Sequence, residues 1–214
     1  MNGSAPAPIL RATVADVPRL ARLFAAAFAR DPLFDWLTQA GSKRQLALQR
    51  FFAWVLERRT LPHGETWISG DGMAAAAWIP PYTHIPLRLA EDLRLLPVLL
   101  RLTGLRRLSR GAAMAAAMEH ARPQPPYFYL AFIGVAPRMQ GTGLGTALLA
   151  RTLARADAAG ASAYLENSNP RNLKLYEREG FSVTGEVKAR ADAPPVYVMW
   201  RPAKARQGSS TMSQ

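Results

Sequence analysis

Apolar residues recur every three or four positions in two stretches of the first sixty residues. The first stretch runs from Asp16 to the Asp31-Pro32 step, where proline ends the predicted helix. Its apolar positions are Val17, Leu20, Leu23, Phe24 and Phe28. Similar spacing predicts a second helix over residues 42–58, and residues 9–12 predict a short strand ahead of both helices.

The middle of the chain changes from strand-like to helix-like patterning. Residues 66–69 and 73–79 flank Gly70-Asp71-Gly72, which is typical of a β-hairpin. Residues 86–120 are rich in Leu, Arg and Ala, and Pro97 and Gly104 interrupt them. This stretch therefore predicts two or three amphipathic helices, inserted at 86–121 before the next strand.

Strands and helices alternate in the second half. Residues 127–135 are aromatic or apolar almost throughout, which predicts a strand buried on both faces. Helices are predicted at 143–159 and 172–179, with strands at 162–166, 181–187 and 196–200. The pattern indicates one α/β or α+β domain over residues 9–202, built on a mixed sheet. The small, polar segments 1–8 and 203–214 are expected to be a disordered N-terminus and a flexible tail.

Composition excludes several classes of protein. Hydrophobic residues make up 49% of the 214 residues, which is enough for a sizeable core and excludes wholesale disorder. No apolar run is long enough for a membrane-spanning helix, and the N-terminus lacks a secretory signal, so a cytoplasmic location is expected. The absence of cysteine excludes disulfides, thiolate nucleophiles and Cys-ligated metals. The three histidines show no ligand spacing, so no metal is expected.

The chain is strongly basic, with 27 Lys and Arg against 15 Asp and Glu. Arginine binds phosphates well, so an anionic ligand is one explanation and compositional bias is another. A non-enzymatic basic domain on an anionic membrane or nucleic acid is an alternative, carried by the Leu- and Arg-rich stretch at 86–120. Glu91, Asp92 and Pro97 interrupt that stretch, and a helix with a solvated charged face explains it, so neither partner is expected.

A glycine-rich turn joins the strand at 127–135 to the next helix. The turn contains Gln140, Gly141, Thr142, Gly143, Leu144 and Gly145. Free N–H groups at a helix start bind phosphate, and glycine lets a ligand approach the backbone closely. A P-loop would need a Gly-Lys-Ser/Thr step that is missing. A dinucleotide fingerprint would need glycine where Thr146 stands, although Glu166 lies where a ribose-binding acid would be. The spacing favours acyl-CoA pyrophosphate, with a dinucleotide-binding enzyme or a ligand-free turn as alternatives.

Two segments in the right order carry a family resemblance. VAPRMQGTGLG resembles the CoA-binding motif of the GNAT superfamily of N-acetyltransferases. AYLENSNPRNLKLYEREGF, at residues 163–181, is similar to the superfamily's next characteristic block. Together with ATVADVPRLARLFAAAFARDP and AAAAWIPP, they resemble the puromycin N-acetyltransferase-like branch. The resemblance covers residues 9–200 and is weakest at 86–120.

The resemblance implies a fold and a cofactor site. It implies a mixed central sheet of about six or seven strands flanked by helices, splayed between the strands that end at Val135 and Glu166. Acetyl-CoA, as cosubstrate, would lie in the gap, with its pantetheine amide and thioester on backbone groups of Ile133, Gly134 and Val135. The pyrophosphate would lie on the turn from Gln140 to Gly145, and Asn172 would bind the pantetheine arm.

The same resemblance implies transfer of an acetyl group to a primary amine of a small molecule, by direct attack in a ternary complex. It makes Tyr176 the general acid that protonates the leaving thiolate. Glu166, which ends a buried strand, is the first candidate base, with Glu119 and His120 as second candidates. Each of the three main residues also has a structural alternative. These are packing in the core for Tyr176, a helix cap for Asn172 and a salt bridge with a nearby arginine for Glu166.

The sequence leaves the identity of the acceptor amine and the oligomeric state open. Trp36, Trp54, Trp78 and Tyr82 are candidates for the wall of an aromatic acceptor site. Methionine and leucine side chains of the helical insertion would suit an apolar amine, or they would only complete the core. Both a monomer and a homodimer are compatible with the sequence.

Overall fold

The computed structural model describes residues 7–83, 95–124 and 126–204. Within these ranges a seven-stranded sheet has the order β1-β2-β3-β4-β5-β7-β6. The strands are Ile9–Arg11 (β1), Thr66–Ser69 (β2), Ala74–Ile79 (β3), Tyr127–Val135 (β4), Ser162–Asn167 (β5), Ser182–Val187 (β6) and Val196–Arg201 (β7). The predicted mixed sheet, with its strand number and its flanking helices, is confirmed.

The described residues also form α-helices on both faces of the sheet. These are Val17–Ala27 (α1), Pro32–Leu37 (α2), Arg44–Val55 (α3), Leu95–Ala121 (α4), Leu144–Ala159 (α5) and Leu173–Arg178 (α6). Part of the predicted helical insertion, residues 86–94, lies outside the described residues, as do 1–6 and 205–214 of the predicted flexible ends.

The predicted first helix ends before the Asp31-Pro32 step, at Ala27, and the same step also starts α2. Pro32 is the first residue of α2, where its missing N–H costs no hydrogen bond. The Asp31 carboxylate caps the helix by accepting the N–H groups of Leu33 and Phe34 at 3.0 and 3.2 Å. The chain therefore turns sharply between α1 and α2 and brings Asp31 toward the sheet.

Only one of the two predicted interruptions of the insertion breaks the described helix. Gly104 has φ 65° and ψ 167°, which divides α4 into two helical segments. A side chain is not accommodated there, because a Cβ on Gly104 would overlap the amide of Gln39. Pro97 lies in the first turn of α4 as described, where proline is tolerated.

The central strands determine where a cavity can form. β4 pairs with β3 on one side in antiparallel fashion and with β5 on the other in parallel fashion. Each remaining neighbouring pair in the described sheet is antiparallel. The β3–β4 register shifts by one residue, so that Ala131 is the additional residue of a β-bulge opposite the Ala77-Trp78 step.

The sheet carries a hydrophobic core on each face. On one face α1 packs on β3 and β4, and α3 packs on α1, through Leu20, Phe24, Leu48, Phe52, Ala75 and Ala77. On the other face α5 packs on β3 and β4 through Trp67, Trp78, Phe128, Leu130, Leu148 and Leu149. The alanines of β3 alternate between the two faces, and their small side chains let helices approach both sides closely.

Candidate active site

β4 and β5 separate halfway along their length. Their pairing runs from Tyr127 opposite Ser162 to Leu130 opposite Leu165 and ends there. β4 continues to Val135 while it stays paired with β3, and β5 continues to Asn167. A gap therefore opens between two parallel strands at the centre of the sheet, which is the splay that the family resemblance implies.

One edge of this gap is backbone without a partner strand, although the Gln140 side-chain amide donates to Val135 O at 3.4 Å. The N–H of Ala136 donates to Met73 O at 2.7 Å, on the β3 side. The backbone N–H and C=O groups of successive residues in a strand point to opposite sides. Those of Gly134 therefore also point to β3, whereas those of Ile133 and Val135 point into the gap. A Cβ on Gly134 would lie 2.8 Å from Phe24 Cδ1 and 3.1 Å from Ala27 Cβ. Gly134 is therefore needed for the close approach of α1, and its assignment to cofactor binding is not kept.

The glycine turn presents free N–H groups beside the gap. Gly141 and Gly143 have φ 80° and 86°, a conformation that favours glycine. The first backbone hydrogen bond of α5 runs from the Ala147 N–H to Gly143 O at 3.0 Å. The three preceding N–H groups, from Leu144 onward, therefore have no helical partner, and they lie at the positive end of the helix dipole.

The gap and the turn line one cavity of about 1230 Å³. Its lining includes these predicted site residues: Ile133, Gly134, Val135, Gln140, Gly141, Gly143, Leu144, Gly145, Glu166, Asn172 and Tyr176. Thr142 does not line it; its hydroxyl instead donates to Met139 O at 2.7 Å and stabilises the turn. The structure thus brings together residues that are up to 43 positions apart in the sequence, from Ile133 to Tyr176.

Tyr176 and Asn172 lie across the cavity from β4. Tyr176 is 5% exposed and its ring packs edge-on against Phe181 at 6.2 Å, so it does contribute to the core. Its hydroxyl nevertheless makes no hydrogen bond to the described chain. Burial, and then the charge of Asp31, raise the pKa of Tyr176 above its ordinary value, so the phenol stays protonated. The Asn172 side chain is half-buried and without a hydrogen bond in the described chain.

Glu166 lies at the closed end of the gap, one residue beyond the last β4–β5 pair. Its carboxylate accepts hydrogen bonds from the Tyr129 hydroxyl at 2.5 Å and the Tyr164 hydroxyl at 3.0 Å. Arg122 Nη2 lies 3.5 Å from Oε1, so the arginine partner considered as a structural role for Glu166 is present. Burial raises the pKa of Glu166, and Arg122 and the two phenols oppose that effect.

The second candidate bases differ from one another. Glu119 lines the cavity, and its carboxylate lies 3.2 Å from Arg122 Nη1. His120 is exposed and does not line the cavity, so the structure gives it no place near the gap.

Two functional candidates, Asp31 and Asn167, are not evident from the sequence. Asp31 is 5% exposed, lines the cavity, and accepts the Ser168 hydroxyl at 2.6 Å, which ties the start of α2 to the end of β5. Asn167 is 3% exposed and its Nδ2 has no partner in the described chain, while its Oδ1 accepts the Asn169 N–H. The one signal in the sequence is a run of four polar residues, Glu166 to Asn169, at the end of an apolar strand.

The rest of the cavity wall is largely apolar. Its lining includes Leu33, Leu37, Trp54, Tyr82, Met114 and Met118. Of the four predicted aromatic wall residues, Trp54 and Tyr82 line the cavity, whereas Trp36 and Trp78 do not. Trp78 is fully buried under α5 and Trp36 donates to Asp192, so both are structural.

The fold and the site place the chain among acetyltransferases. Residues 75–181 match the model of the acetyltransferase (GNAT) family, and this range includes the splayed strands, the glycine turn and Tyr176. The chain therefore belongs to the acetyltransferase (GNAT) family, and the protein is an enzyme. The hypothesis of a non-enzymatic basic domain is overturned by this match.

Solved structures of acetyltransferases share the fold over nearly the whole chain. One of them is a Corynebacterium glutamicum protein described as histone acetyltransferase HPA2 and related acetyltransferase. It is 25% identical to this chain with a TM-score of 0.72, and the match covers 95% of this chain and 100% of that one. The Drosophila melanogaster polyamine N-acetyltransferase is 16% identical with TM-score 0.56 over 91% and 99%. A mosquito arylalkylamine N-acetyltransferase-like protein is 12% identical with TM-score 0.57 over 91% and 99%. The latter two show the shared fold alone.

A dinucleotide-binding enzyme does not fit the described sheet. β4 and β5 are its only parallel pair, whereas a doubly wound dinucleotide-binding fold consists mainly of parallel strands, so that hypothesis is not kept. In the described residues, no three His, Asp or Glu side chains are grouped so that they could hold a metal ion. None of the described helices has the length and apolarity needed to cross a membrane.

Proposed function

We propose that the enzyme transfers the acetyl group of acetyl-CoA to a primary amine of a small molecule, by direct attack in a ternary complex. One observation carries the proposal. The gap between β4 and β5 opens beside the unpaired start of α5, in one cavity that also holds Tyr176 and Glu166. All the groups in this proposal come from one chain, so the proposal is compatible with a monomer or a homodimer.

Acetyl-CoA is expected to follow the unpaired backbone. Its pyrophosphate would accept the N–H groups at the start of α5, with Arg171 and Arg178 on the same cavity wall as cations. The pantetheine arm would pair with the gap-facing edge at Ile133 and Val135, and with the amide of Asn172. A backbone N–H on this edge would polarise the thioester carbonyl, as a donor aimed at a developing oxyanion does.

The reaction requires two proton transfers around one acyl transfer. The amine nitrogen attacks the thioester carbonyl carbon, and the tetrahedral intermediate then breaks its C–S bond. Glu166 is the group to which the amine proton finally goes, and its raised pKa makes it a better proton acceptor than an ordinary carboxylate. Tyr176 donates a proton to the departing thiolate, and its raised pKa keeps that proton in place until then.

The acceptor is proposed to have an apolar or aromatic body. The cavity wall away from the glycine turn consists mainly of Leu, Met and aromatic side chains, including Trp54 and Tyr82. We also propose a cytoplasmic enzyme with no metal and with neither membrane nor nucleic acid as partner.

Release of CoA thiol by the full chain tests the proposal. Acetyl-CoA would be supplied with puromycin, tyramine, agmatine and spermidine in separate reactions, and the acetamide would be identified by mass. We expect amine-dependent, saturable thiol release with at least one monoamine, faster than with the polycation spermidine. If thiol release does not depend on any amine, amine acetylation is wrong.

A further inference from the structure

The carboxylate of Glu166 is almost closed to solvent. Its side chain is 2% exposed, although the residue lines the cavity. Oε1 accepts the Tyr164 hydroxyl at 3.0 Å and faces Arg122 at 3.5 Å, while Oε2 accepts the Tyr129 hydroxyl at 2.5 Å. An amine in the cavity therefore meets the neighbours of Glu166 before it meets the carboxylate itself.

The two phenols that bond Glu166 differ in their access to the cavity. Tyr129 is partly exposed and lines the cavity. Tyr164 is 0% exposed and does not line it, and its ring packs against those of Tyr127 at 5.2 Å and Tyr129 at 5.7 Å. Of the two phenols, only Tyr129 therefore lies between the cavity and the carboxylate.

Tyr129 also lies at the right place along the strand. It immediately precedes Leu130, the last residue of β4 that pairs with β5. Its hydroxyl is consequently at the closed end of the gap, where the acetyl end of acetyl-CoA is expected when the pyrophosphate is on α5. Arg122 covers the Tyr129 ring with its guanidinium 4.9 Å from the ring centroid and fixes the ring's orientation.

We propose that Tyr129 is a catalytic proton relay between the acceptor amine and Glu166, an inference that rests on the proposed function. The amine nitrogen gives its proton to the Tyr129 phenolic oxygen as the N–C bond to the acetyl carbonyl forms. In the same step the Tyr129 phenolic proton moves along the 2.5 Å hydrogen bond to Glu166 Oε2. Tyr129 is neutral before and after, Glu166 ends protonated, and Tyr176 separately protonates the CoA thiolate.

The charges around Glu166 favour a Tyr129 that passes a proton on over a Tyr129 that stays ionised as a tyrosinate. Burial and the charge of Glu166 raise the pKa of Tyr129 well above its ordinary value, so a lasting phenolate is disfavoured. Five ionisable groups face Glu166 or its neighbours: Glu119, Arg122, Tyr127, Tyr129 and Tyr164. Burial raises the Glu166 pKa, and Arg122 and the two bonded phenols partly offset that rise.

Three Tyr→Phe variants separate the relay from a structural role. kcat would be measured against pH with the best amine of the panel, and acetyl-CoA affinity by calorimetry. Tyr129→Phe should lower the kcat plateau by about 100-fold, within the usual range for acid–base groups, with acetyl-CoA affinity unchanged.

Tyr164→Phe removes the same kind of hydrogen bond from the same carboxylate. It should raise the Glu166 pKa and move the acidic limb of the profile to higher pH, with a smaller loss of plateau. Tyr197→Phe removes the hydroxyl of a tyrosine that neither lines the cavity nor hydrogen-bonds Glu166, so it should retain the wild-type profile.

The outcomes distinguish failure of the relay from failure of the proposed function. A Tyr129→Phe plateau equal to that of wild type, or an equal loss in Tyr164→Phe, would overturn the relay while amine acetylation stands. A wild-type enzyme that acetylates no amine would overturn both. A loss in Tyr129→Phe that is accompanied by weakened acetyl-CoA binding would show a structural effect and would also overturn the relay.

Discussion

Gly143 and Gly160 flank the same helix, α5, and both have a left-handed backbone, with φ 86° and 62°. Gly143 precedes the helix and lines the cavity, whereas Gly160 follows it and is exposed, away from the cavity. Replacing each by alanine therefore imposes the same kind of backbone strain at opposite ends of one helix. The pair separates loss of stability from loss of cofactor binding.

The strain is expected to be similar in the two variants. A non-glycine residue in the left-handed region costs about 1–2 kcal/mol. In a chain of this size, that lowers Tm by about 2–8 °C. A Cβ on Gly143 would meet no protein atom within 4 Å, so no clash inside the protein adds to this cost.

The effect on acetyl-CoA binding should differ sharply. If the pyrophosphate lies on the N–H groups that follow Gly143, a methyl group at that position disturbs at least one charge-assisted hydrogen bond. Such a bond contributes about 1.5–3 kcal/mol, so Kd should rise by about tenfold to 150-fold. Gly160→Ala should leave Kd unchanged.

Calorimetric titration with acetyl-CoA and a thermal melt of each variant supply both readouts. Equal Kd values for Gly143→Ala and the wild type would refute the placement of the pyrophosphate on this turn. An equal rise of Kd in both variants would show that strain in α5, rather than occupation of the turn, controls binding.

Two further substitutions test single side-chain positions. Tyr176→Phe removes only the hydroxyl of a residue whose ring is packed. In steady-state kinetics, kcat should therefore fall by about 100-fold while KM for acetyl-CoA stays nearly constant. An unchanged kcat would contradict the role of Tyr176 as general acid. Gly134→Ala places a methyl group 2.8 Å from the fully buried Phe24 ring. Overpacking of this kind costs about 1–3 kcal/mol and should lower Tm, but Kd for acetyl-CoA should not change, because the Gly134 backbone faces β3. A melt and a titration of this variant check both, and a weakened Kd would contradict the orientation of Gly134.

Local patterns are sufficient to predict most elements. The two strand-like stretches that flank Gly70-Asp71-Gly72 predict the β2–β3 hairpin, and the glycine turn before α5 predicts its unpaired helix start. The Asp31-Pro32 step is ambiguous in the sequence, because proline is common both after the end of one helix and at the first position of the next, and here it begins α2. The strand at 127–135 is predicted to be buried on both faces, but its second half is partly exposed because β5 separates from it there.

The contacts that shape the site cannot be read from sequence spacing. Asp31 and Ser168 are 137 positions apart, and Tyr129 and Glu166 are 37 apart. Such pairs depend on the sheet order and on the register of β4 against β5, neither of which has a local signal. The same limit explains why four candidate aromatic residues are predicted together, although only Trp54 and Tyr82 reach the cavity.

Binding of acetyl-CoA to the purified full chain, measured by calorimetric titration with NADPH as the comparison ligand, tests the central claim most directly. Saturable, one-to-one binding of acetyl-CoA without binding of NADPH is the result that a CoA site between β4 and β5 predicts. Binding of NADPH alone, or of neither ligand, would contradict that assignment of the gap and of the glycine turn beside it.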